Sequence, residues 1–129
     1  MGVRMIKRIC LIPLHQPWPF AGSHYVADDV LNFTNDQRLI SQFVDMTSEG
    51  FFKPRIVTNP LPAGFKVELY IDQMVETTRT DSQGNELRFA YVRDLRELLL
   101  APDTPARNIA ISAYINRLDD ETPIIIYPW

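Results

Sequence analysis

The only two histidines of the chain, His15 and His24, stand close together in sequence and are followed at once by Asp28 and Asp29. An imidazole beside a carboxylate is the usual pair for general acid–base chemistry, because the ring can take up or release a proton near neutral pH while the carboxylate fixes its orientation. These four residues therefore define one reading of the protein, a small hydrolase or lyase using His15 or His24 with Asp28 or Asp29. With Cys10 they are also the nearest approach to a metal set. Their spacing matches no zinc or transition-metal pattern, so no metal is expected. A glycine-rich phosphate loop, a CxxC pair, HExxH, GxSxG and an EF-hand loop are all absent from the sequence, and no cofactor is expected.

The same histidines belong to a stretch with a different character. From His15 to Ala27 the chain reads HQPWPFAGSHYVA: prolines flank Trp18, and Phe20 and Tyr25 follow. No hydrophobic period runs through it, which predicts a long loop that either covers the core or carries function. Loops held on a rigid frame often present binding residues, and aromatic side chains supply most contact energy. His15, Trp18, Phe20, His24 and Tyr25 are accordingly the candidate ligand-binding residues. The leading expectation is a non-enzymatic binding or interaction module that meets a small ligand, peptide or protein through residues 15–27.

Composition narrows the partners. The net charge is −3, and basic residues gather only at Arg4, Lys7 and Arg8, which argues against a nucleic acid, whose phosphates need a concentrated positive face. No apolar run of about 20 residues is present and no signal peptide is recognisable, so no membrane partner and a cytoplasmic location are expected. The single cysteine, Cys10, excludes an internal disulfide and fits a small core residue.

Several elements must position these groups. Met5–Ile12 is an increasingly apolar strand stopped by Pro13. Thr34 to Gln37 matches a capping box and predicts a helix carrying Leu39, Ile40, Phe43 and Val44 on one side. Arg55–Thr58 predicts a short strand. Phe65–Asp94 predicts a central β-hairpin: Phe65, Val67, Leu69 and Ile71 alternate on one arm, Leu87, Phe89 and Tyr91 on the other, and Thr80–Asn85 makes the turn. A helical period also runs through 67–78, but its many β-branched residues favour strand. Parity slips near Gln73 and Met74, which predicts a bulge.

Asp94 with Glu97 predicts a capped helix holding Leu95, Leu98 and Leu99. Thr104 as cap with Pro105 at the first turn predicts another, from Ala106 to Leu118, with Asn108, Ser112, Asn116 and Asp119 as its polar stripe. Its apolar surface is broad enough to predict a homodimer. Pro123–Trp129, with Ile124, Ile125 and Ile126 in sequence, predicts a strand buried on both faces and adjacent to the first one. The expected fold is thus α+β: one domain over residues 1–129, a mixed sheet of about five strands with a central hairpin, and about three helices packed on it.

Overall fold

Three isoleucines in succession cannot all face one layer, because side chains alternate across a strand. In the computed structural model, which describes residues 8–15, 22, 24–34, 36–40, 42–43, 56–71, 74–81 and 84–128, the strand β8 (Pro123–Pro128) is buried along its whole length. Ile124 and Ile126 face one apolar cluster while Ile125 and Tyr127 face another. Its neighbour β1 (Arg8–Pro13) alternates in step, Leu11 opposite Ile126 on the first side and Cys10 opposite Tyr127 on the second. The first and last strands are neighbours at the middle of the sheet, as their composition predicts.

Around this pair the sheet runs in the order β3-β1-β8-β7-β4, adding β3 (Leu31–Thr34), β7 (Arg88–Tyr91) and β4 (Asn59–Pro60). Phe33 opposite Ile9 and Ala90 opposite Ile124 extend the first apolar side, and Phe89 opposite Ile125 extends the second. Leu39 and Ile40 of α1 (Gln37–Ile40), Val92 and Leu95 of α2 (Val92–Leu95), and Ile111 and Ile115 of α3 (Ala106–Ile115) close the first side. The second side is closed by another sheet, of order β2-β5-β6, in which β2 (His24–Val26) and β5 (Lys66–Ile71) contribute Tyr25, Val67 and Leu69, and β6 (Met74–Thr78) forms the edge. Helices, five strands and three strands therefore stack as three layers, with β1 and β8 in the middle layer.

The α+β class and the five-stranded sheet match expectation, and the second sheet does not. All pairings of the larger sheet are antiparallel; the parallel pair is β2 with β5, in the smaller one. The expected hairpin is replaced. Residues 66–71 and 74–78 are strand rather than helix, but the two runs pair with each other, Ile71 opposite Met74, where one long strand with a bulge is expected. At the expected turn, the Gly84 amide donates to the Asp81 carbonyl and the Asp81 amide to the Asn85 carbonyl, between β6 of one sheet and β7 of the other. Among the described residues one bridge, Thr80 with Glu86, remains of the predicted ladder, and β7 pairs with β8 and β4 instead. Phe89 and Ile125 are both apolar and buried, so the pairing inside the middle layer covers more apolar surface than a free-standing hairpin arm would.

Helix starts also differ from the sequence reading. Thr34 is still paired with Arg8 in β3, so α1 begins later and Asp36 caps it, its Oδ1 accepting from the Leu39 amide at 2.9 Å. The α2 helix starts at Val92, ahead of Asp94. Its first amides, Val92 and Arg93, donate to the Thr122 and Asp120 carbonyls, so main chain does the capping. Pro105 precedes α3 rather than opening it, and the Thr104 hydroxyl accepts from the Asn108 side chain at 3.0 Å. Asn108, expected on the polar stripe, lies with Ile111 and Ile115 on the buried side, while Ile109 is 54% exposed. Among the described residues α3 is therefore covered on the side of Asn108, Ile111 and Ile115 and open at Ile109. Arg55 lies outside the described residues, and the strand expected at 55–58 is found instead at Asn59–Pro60. Val44 and Trp129 also lie outside the described residues. No helix among the described residues is long and apolar enough to cross a membrane.

Candidate functional site

His15 is the first residue beyond the paired part of β1: the amide of Leu14 still donates to the Pro123 carbonyl, at 2.9 Å. What fixes the chain there is Tyr25. The segment expected to be a loop through Ala27 contains a short strand, and alternation in β2 turns Tyr25 inward and His24 and Val26 outward. The Tyr25 phenol reaches across the layers, donating to the Pro13 carbonyl at 3.2 Å and taking a hydrogen bond from the His15 backbone. Burial, opposed by that His15 bond and aided by the charges of Asp28 and Asp29, holds its pKa above the usual phenol value. Tyr25, 6% exposed, therefore anchors the chain beneath the site.

Beyond β2 the Ala27 amide donates to the Glu68 carbonyl at 2.9 Å, which keeps the chain along β5 for one more residue before it turns through Asp28 and Asp29 into β3. The turn brings Asp29 against His15, with Oδ2 2.5 Å from Nε2. Tyr114, in the last turn of α3, donates its hydroxyl to the same carboxylate oxygen at 2.8 Å and stands 3.5 Å from Nε2. One oxygen of Asp29 thus joins the end of β1, the β2–β3 connection and α3. The bond to Asp29 is the main reason the Tyr114 phenol is shifted above its usual pKa. His15 and Asp29 keep 40% and 25% of their side-chain surface, so the cluster is open to solvent.

Chemically, an imidazole that donates from Nε2 to a carboxylate keeps its Nδ1 lone pair for an outside partner. Tyr114 adds an aromatic face and a hydroxyl whose own proton is already engaged. Such a cluster can receive a hydrogen-bond donor and pack against a flat apolar group. As a catalytic unit it supplies a base and the carboxylate that orients it.

The other sequence candidates are distributed elsewhere. His24 lies on the outward face of the smaller sheet, 3.7 Å from Glu68, so the two histidines belong to separate constellations. Asp28 is exposed, and its charge bears on the Tyr25 phenol beneath the cluster. Trp18 and Phe20 lie outside the described residues. Cys10 is buried and its thiol donates to the Asn32 side chain across β1 and β3, in keeping with a core role. No group of three or more His, Cys, Asp or Glu residues that could hold a metal ion occurs among the described residues. Three arginines, Arg79, Arg88 and Arg93, are engaged within the fold: Arg79 with the Pro62 and Phe65 carbonyls and Glu86, Arg88 with Thr58, Arg93 with Glu121.

Tyr114 is the member of the cluster that sequence reasoning missed. It is 99 positions from His15 and sits in a helix whose pattern marks it only as apolar. Its one signal is a phenol three residues after Ile111, in a helix whose other apolar side chains are all aliphatic. Comparison of the chain with protein-family models, with curated proteins and with solved structures found no match.

Proposed function

We propose that the protein is a non-enzymatic binding module whose contact surface is centred on His15 and Tyr114 and continues into residues 15–27, meeting a small ligand, a peptide or another protein. The observation that carries this reading is the shared Asp29 oxygen, which holds an exposed imidazole and an exposed phenol ring in one geometry. Groups already ordered in the free protein lose little conformational entropy on binding, and a tyrosine offers much contact area for few rotatable bonds. A two-fold homodimer belongs to the same proposal, because Ile109 and Tyr114 leave apolar surface of α3 facing solvent.

The test begins with a thermal-shift screen of small molecules and peptides against the wild-type chain, since a ligand that binds only the native state raises the melting temperature by mass action. For a compound so found, His15→Ala and Tyr114→Ala are expected each to weaken binding about tenfold or more while shifting the melting temperature little. A ligand that binds both variants as tightly as wild type removes the cluster from the contact surface. Light scattering at micromolar concentration tests the dimer, and a mass of 14.9 kDa argues for the single chain.

A second reading, a hydrolase or lyase with His15 as base and Asp29 as its orienting carboxylate, is favoured by the 2.5 Å contact between them. Under it, His15→Ala lowers turnover about a hundredfold, the usual effect of losing a general base, while leaving substrate affinity nearly unchanged. Loss of binding without any turnover to lose supports the first reading.

A further inference from the structure

We draw no further inference here: the strongest candidate, the outward face of the β2-β5-β6 sheet on which Val26, Tyr70 and Val75 are exposed, carries nothing because nothing in the structure shows what covers it.

Discussion

Two polar constellations in this protein each tie distant parts of the chain together, and they do so in opposite ways. Asp36 and Gln42 are 1% and 4% exposed. Asp36 accepts from the Leu39 amide with one oxygen and from the Ala101 amide with the other, at 2.9 and 3.1 Å. Gln42 imitates a strand: its amide group donates to the Leu99 carbonyl at 2.7 Å and accepts from the Leu99 amide at 3.0 Å, with a further bond to the Arg38 carbonyl. Almost every partner is main chain. The His15, Asp29 and Tyr114 cluster is built from side chains alone and lies open, two donors converging on one oxygen.

The contrast teaches where structure and function divide. A buried polar group must be satisfied, and main-chain partners satisfy it wherever the fold passes, so the Asp36 and Gln42 pair fastens the α1 region to the 99–101 connection. An exposed group has water as an alternative, so side-chain bonds there contribute little to stability and leave the groups free to exchange partners. The first constellation is expected to govern folding and the second binding.

The largest effect should follow from Asp36→Ala. The change strands the buried Leu39 amide and the half-buried Ala101 amide and removes the cap of α1, a loss of about 3 kcal/mol, which lowers the melting temperature by about 10 °C in a chain of this size. Thermal unfolding followed by circular dichroism checks it. A variant that melts within about 2 °C of wild type would place Asp36 with the surface cluster and dissolve the distinction.

How much of this division could be read from the sequence follows from the range of the interactions involved. Alternation is local, so the double-sided burial of β8 and the strand character of residues 66–71 were legible in Ile124–Tyr127 and Val67–Ile71, while the pairing of β8 with β1 rested on the apolar content that the two strands share. The pairing of Ile71 with Met74 was visible as a break in parity, but that is the same signal that a bulge gives. Caps were misplaced by one to three residues because the partner is chosen by tertiary contact: Thr122 and Asp120 serve α2, and nothing near Val92 announces them. The joining of His15 to Asp29 was among the expected pairs, since few residues separate them. Tyr114 and the Ala101 partner of Asp36 come from the far end of the chain, and only the packing of α3 and its entry loop against the sheet brings them in.

An intermediate effect is expected from Tyr25→Phe, which joins the two regimes: a buried side chain placed to support an exposed site. The substitution keeps the ring in its apolar cluster and deletes only the hydroxyl, leaving the Pro13 carbonyl and the His15 amide short of a partner. The loss should be about 1 kcal/mol in stability by denaturant titration. The His15 ring should also become less well held, read as a changed imidazole nuclear magnetic resonance signal. An unaltered His15 resonance would show that Asp29 alone positions the imidazole.

The smallest effect on stability is expected from Tyr114→Phe, and its dependence on pH distinguishes it from a packing change. The bond to Asp29 needs the phenol protonated, and the folded pKa of Tyr114 is raised above its unfolded value. The contribution is therefore fully present below the unfolded phenol pKa, about 10, and is lost as pH rises through the higher folded value. Because the cluster is open to water, the difference between wild type and Tyr114→Phe at neutral pH should be less than about 1 kcal/mol. Measured by denaturant titration at pH 7 and again at the most alkaline pH the fold tolerates, the gap should narrow at the second. A gap that stays constant would mean that the lost hydroxyl acts through packing rather than through its proton. A gap of about 3 kcal/mol at pH 7 would make the surface cluster as structural as Asp36, and the division between a polar group that holds the fold and one that is presented to a partner would fail at Tyr114.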